Sequence, residues 1–158
     1  MLKVLAAAIL IMTSICAKAN AASINWGFTK NPSEITGYPA GESEPDYVLR
    51  VTCLSGGKVQ IGVGAHDNIG RRRGNLVVKL QSGDLSVTLS GKSAWSKNSE
   101  MTGSRELRTE LSLSEATKFM AVLTNGRSIQ ATGALNQTWT VVGLPAKASA
   151  FGKSCSNN

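Results

Sequence analysis

The chain has 158 residues, with 17 Lys and Arg against 10 Asp and Glu, a formal net charge of +7, three cysteines and one histidine. That length suits one compact domain, and the basic balance favours acidic partners: an acidic protein, lipid headgroups or a cell-wall polymer. So few histidines and cysteines make a poor metal site, no cofactor motif is present, and no recognition motif points to nucleic acid.

Residues 1–21 read as a cleaved export signal. "MLK" is a charged start, "VLAAAILIMTSI" an apolar run, and "AKANA" a small-residue exit whose Ala19 and Ala21 satisfy the A-x-A pattern, so cleavage is expected after Ala21. The run falls short of the about 20 apolar residues that span a bilayer, so no stable membrane anchor is expected after cleavage. Cys16 follows Ile15 rather than a small residue, which argues against lipid attachment there. Loss of Lys3 and Lys18 leaves 15 basic and 10 acidic residues, a net charge of +5, with Cys53 and Cys155 as the remaining cysteines. An even pair in an oxidising compartment predicts one disulfide, and the expected location is the periplasm or the exterior.

Residues 22–45 carry Pro32, Pro39 and Pro45 among scattered glycines. Only "SINWGF" reads as a strand there, with Trp26 and Phe28 tucked under a sheet; the rest predicts a Pro/Gly-rich N-terminal arm. From Asp46 the pattern turns to period two and predicts a single β-rich domain over 46–158. In "DYVLRVTCL" Leu49, Val51 and Cys53 share the inward face while Arg50 and Thr52 share the other. "KVQIGV" continues the alternation. "NLVVKL" and "DLSVTLS" flank "QSG" as a hairpin with Leu76, Val78, Leu80, Leu85, Val87 and Leu89 on one face.

"SAWSKNSEMTGS" is a weak polar interval around Trp95. "RELRTEL" predicts a strand with Leu107 and Leu111 inward and Arg105, Glu106, Arg108 and Glu110 solvated. "SLSEATKFMAVLTNG" is the best helix, with Ser112 and Glu115 as a capping box, Gly126 as the stop, and Ala116, Phe119, Met120 and Leu123 as the core stripe. "RSIQATG" and "NQTWTVVG" give two short strands. In "GLPAKASAFGKSC" Leu144, Ala148, Phe151 and Cys155 fall on one helical face, which delivers Cys155 to the core where Cys53 points. The whole predicts a mainly β (α+β) fold, an antiparallel β-sandwich or curled sheet with one packed helix, a short C-terminal helix and one disulfide, Cys53–Cys155.

The order "LRVTC", "KVQIGV", a β meander, "ATKFMAVLTNGRSIQATG" and "WTVVGLPAKASAFGKSC" resembles the periplasmic accessory proteins associated with type VI secretion. More loosely it resembles the invasion-associated locus B family, whose additional cysteines are missing here. In both, a late strand ending in Gly-Leu leads to a short helix; in the first, an early strand cysteine and a terminal cysteine match Cys53 and Cys155. The resemblance covers roughly 46–155. It implies an accessory role at the cell envelope through protein contacts and transfers no catalytic residue.

The chemistry-bearing stretch is "GVGAHDNIGRRRGNLVVKL". His66 is the only histidine available to a Ser-His-Asp triad, and no "GxSxG" elbow presents a serine. Strand neighbours point to opposite faces, so His66 and Asp67 make no dyad by adjacency, and His66 is expected to be an exposed loop residue. No carboxylate pair stands out for glycoside hydrolysis. Gly62, Gly64, Gly70 and Gly74 lack the Gly-Lys-Ser/Thr ending of a phosphate loop. What remains is Arg71-Arg72-Arg73, which reads either as a solvated loop or as an anion-binding rim extended by Arg50 and Lys79 if their strands lie alongside. The expected function is non-catalytic: a binding or accessory module for an acidic protein or envelope partner, or a secreted inhibitor of a cell-wall hydrolase.

Overall fold

The computed structural model describes residues 21–41, 46–71 and 74–156. The expected export signal up to residue 20, Cys16 within it, Pro45, and Arg72 and Arg73 of the arginine run lie outside the described residues.

Among the described residues nine strands follow in chain order: β1 (Ile24–Thr29), β2 (Glu34–Pro39), β3 (Leu49–Cys53), β4 (Lys58–Val63), β5 (Asn75–Ser82), β6 (Leu85–Trp95), β7 (Arg105–Ser112), β8 (Ser128–Gly133) and β9 (Gln137–Thr140). Three α-helices accompany them there, α1 (Ser99–Thr102), α2 (Leu113–Thr124) and α3 (Leu144–Cys155). The strands form one antiparallel sheet in the order β1-β2-β3-β4-β7-β6-β5-β8-β9. The sheet curls until its two edges nearly meet. Ala22 bridges to Trp139, its N–H donating to the Thr138 carbonyl at 2.7 Å, and Trp26 Nε1 donates to the Thr140 carbonyl at 2.9 Å. The curled-sheet form of the expected fold is therefore the one adopted.

The period-two pattern sets the register. Leu49, Val51, Ile61, Val63, Val78, Leu80, Leu89 and Leu107 all point into one core and are essentially inaccessible. α2 begins where the sequence places it, with Ser112 and Glu115 exchanging capping hydrogen bonds. Its buried stripe of Ala116, Phe119, Val122 and Leu123 meets the buried face of α3, made of Leu144, Ala148, Phe151 and Cys155. Cys53 and Cys155 form the disulfide, with Cα atoms 5.6 Å apart.

Three expectations change. The N-terminal arm is instead the β1–β2 hairpin: Ile24 to Thr29 pair with Pro39 to Glu34, and β2 pairs with β3. Prolines at the turn and strand end, Pro32 and Pro39, disguise that strand, because Pro is tolerated only at such margins of a sheet. β6 runs through the polar interval to Trp95, followed by α1. Finally, Glu106, Arg50 and Thr52 do not lie on a wet face: they are 0%, 6% and 9% exposed, while Arg105 and Arg108 are half-buried. The segments 46–47 and 96–97 cover that outer surface of β3, β4 and β7, through Tyr47 and Lys97.

The registers also separate two ends. The β5–β6 turn, both long helices and the disulfide lie at one end, since Lys58 pairs with Ser112 and Asn125 donates to the Ser82 carbonyl. The loop from Gly64, the 96–104 segment and the β8–β9 connection lie at the opposite end.

Candidate functional site

The loop following β4 is docked against the sheet. Ala65 is fully buried and Ile69 packs on the core. Asn68 Oδ1 accepts the Arg105 backbone N–H at 2.8 Å, and Ser93 Oγ donates to the Gly70 carbonyl at 2.6 Å. A Cβ added to Gly70 would lie 2.7 Å from Arg105 Cβ, so glycine is what lets the loop settle on β7.

His66 and Asp67 are partly covered rather than exposed, 27% and 22% by side chain. A turn, unlike a strand, lets neighbours point together, and His66 Nδ1 lies 3.8 Å from Asp67 Oδ1. Asp67 is also tied to the far side of the domain. Gln137 Nε2 donates to Asp67 Oδ1, and Trp139 Nε1 donates to Gln137 Oε1 at 2.8 Å. This chain from a fully buried tryptophan fixes the loop relative to β9.

Between these parts opens a cleft of about 780 Å³. It exists because β5 and β8 pair only as far as Val78 and Gly133, after which Ala134 N–H bonds the Val77 carbonyl at 2.9 Å and the chain swings away toward β9. The floor is aliphatic, formed by Ile69, Leu76 and Leu135. The rim carries Arg71, Asn75 and Asn136, all exposed, with Asp67 and Gln137 at its inner end. Its size falls within the roughly 300–1,000 Å³ usual for ligand pockets.

The expected arginine rim thus holds Arg71 at the cleft mouth, while Arg72 and Arg73 lie outside the described residues. Lys79 is exposed on β5. Arg50 does not join them, because β4, β7 and β6 separate β3 from β5 and Arg50 is buried. Its guanidinium is committed elsewhere. Arg50 Nη2 lies 3.4 Å from Glu106 Oε1, Nη1 lies 3.6 Å from Glu34 Oε2, and Nε donates to Tyr47 Oη at 3.0 Å. Glu106 accepts from Tyr47 Oη at 2.6 Å and from Arg108 Nε at 2.8 Å, and Lys97 Nζ reaches Glu34 at 3.0 Å.

Sequence reasoning missed this cluster. Its signal is Gly62, where a Cβ would come within 2.4 Å of the Glu106 carboxylate. Only a side chain of zero length on β4 lets that carboxylate lie across the strand to Arg50. Burial opposes the charge on Arg50, but the neighbouring Tyr47 and Glu106 outweigh it and raise its pKa. Burial, then the Glu106 charge, push the Tyr47 phenol well above its ordinary value.

A raised phenol makes a stability contribution that is present below the unfolded pKa, about 10, and is lost as pH rises through the folded one. Tyr47 is therefore expected to ionise only with alkaline unfolding. Absorbance at 295 nm followed against circular dichroism should show a phenolate step coincident with loss of structure and missing from Tyr47→Phe. A Tyr47 step that precedes unfolding contradicts the cluster.

Among the described residues, no helix is long and apolar enough to cross a membrane, and no group of three or more His, Cys, Asp or Glu is placed to hold a metal. The fold and cleft define a class: a nearly closed antiparallel sheet with an open, amide-rich cleft and an arginine at its mouth. Comparison with protein-family models, curated proteins and solved structures finds no match for this chain.

Proposed function

We propose that this chain is an exported, non-catalytic binding or accessory module of the cell envelope, acting in the periplasm or outside the cell on an acidic partner. The observation that carries the reading is Arg71, exposed at the mouth of the 780 Å³ cleft beside Asn75 and Asn136. Arginine binds carboxylate through paired N–H donors, and carboxamides supply both donors and acceptors around it. A loop docked from Gly64 to Arg71 suits this role better than that of a projecting plug in a hydrolase. The resemblance to periplasmic accessory proteins of type VI secretion supports the same role, and Lys79 on β5 is a further cation for the partner.

The test is capture from envelope fractions by the chain and by R71S/R72S/R73S. Capture at low salt should fall at least about tenfold with the triple variant and should weaken as salt rises for the unsubstituted protein. Capture unchanged at low salt removes the arginine rim from the function.

A further inference from the structure

We infer that the cleft receives a short extended peptide, with an aliphatic side chain on the Ile69–Leu76–Leu135 floor and a carboxylate on Arg71. This inference rests on the binding-module reading and gives it a ligand class. Gly74 accepts the Ser93 N–H on the β6 side of β5, whereas Val77 accepts the Ala134 N–H on the β8 side. Backbone groups alternate sides along a strand, so Asn75 directs its N–H and carbonyl as Val77 does, toward β8.

Beyond Gly133, β8 no longer pairs with β5, and Asn75 lines the cleft that results. The notch therefore offers a strand edge of one residue with a donor and an acceptor. An extended peptide satisfies such an edge with its own backbone and places alternate side chains to either side.

The other walls narrow the ligand further. The floor is aliphatic and no aromatic ring among the described residues lines the cleft, which disfavours a sugar ring seeking a stacking face. Val77, 49% exposed, extends the apolar surface at the cleft edge. Asn136 and Asn75 stand on the rim where peptide amides would pass, and Arg71 supplies the one described cation of the lining. Asp67 lines the inner end, where its Oδ1 already accepts from Gln137, so the carboxylate of a ligand belongs at the Arg71 end. That carboxylate has two sources, a chain terminus or an Asp or Glu side chain.

Isothermal titration of the mature chain at low ionic strength distinguishes them. The probes are acetyl-Thr-Val-Ala-Leu as the free acid, its C-terminal amide, and the amide of the same peptide extended by Glu. The free acid should bind one-to-one, with the plain amide at least about tenfold weaker. Binding of the Glu-extended amide as tight as the free acid assigns a side-chain carboxylate; binding of the free acid alone assigns a chain terminus. Arg71→Ser, at an exposed position that leaves the fold intact by circular dichroism, should erase the difference between acid and amide.

N-methylation of the free acid at one central amide should abolish binding while the adjacent amide tolerates it. Equal binding of acid and amide, equal tolerance of both N-methyl groups, or no binding by any probe overturns the inference. Arginine-dependent envelope capture without peptide binding overturns this inference alone and leaves the module reading standing. Arginine-independent capture overturns the module reading as well.

Discussion

Glu106→Gln is expected to destabilise the domain by about 3–5 kcal/mol, a large part of the about 5–15 kcal/mol available to a domain of this size. Glu106 is fully buried and receives Arg50, Arg108 and Tyr47. The amide keeps the shape but removes the one carboxylate shared by Arg50 and Arg108, leaving buried Arg50 with Glu34 alone, at 3.6 Å, and most of the cost lies in that under-compensated charge. The paired substitution Arg50→Met with Glu106→Gln should therefore cost less than the sum of the single ones, a coupling that a double-mutant cycle reads directly. Glu110→Gln is the internal control. It lies on the same face of β7, half-exposed and 4.0 Å from Lys58, and should change stability by less than about 0.5 kcal/mol. Urea midpoints at constant m-value provide the measurement. Equal effects of Glu106→Gln and Glu110→Gln contradict the buried cluster.

The second large effect concerns the disulfide. Cys53 and Cys155 are 102 residues apart in sequence, and the chain-entropy model assigns closure of such a loop up to about 4–5 kcal/mol. The double variant Cys53→Ala, Cys155→Ala should lose an amount approaching that figure yet keep the fold. Leu144, Ala148 and Phe151 still hold α3 against the core without the bridge, and Phe119 and Leu123 of α2 remain buried there. Intact-mass measurement should first show the native chain two hydrogens lighter than its reduced form. A double variant as stable as the parent contradicts a stapling role.

Most of the fold is legible in the residues. Alternation in "DYVLRVTCL" and "NLVVKL", the Ser112–Glu115 box and the Leu144–Ala148–Phe151–Cys155 stripe each reflect a local rule that packing then obeys. What is hidden depends on non-local covering. The strand over 34–39 is a strand because β1 and β3 flank it, although Pro32 and Pro39 read locally as loop. Arg50 and Glu106 carry the pattern of a solvated face, and only the passage of Tyr47 and Lys97 across that face buries them. The cleft is hidden for the same reason. Arg71 is conspicuous in sequence, but Asn136 and Leu135 reach it only because β8 lies beside β5 after two intervening strands and two helices. Adjacency in sequence does not by itself bring the His66 and Asp67 side chains together; the turn they occupy does.

Anion binding at the Arg71 cleft is tested most directly by backbone amide shifts of the ¹⁵N-labelled chain titrated with polyglutamate at low salt. Saturable shifts clustered in 67–71, 75–77 and 133–137, fading as salt is added, are the expected result. Shifts confined to other surfaces, or none at low salt, would contradict such binding.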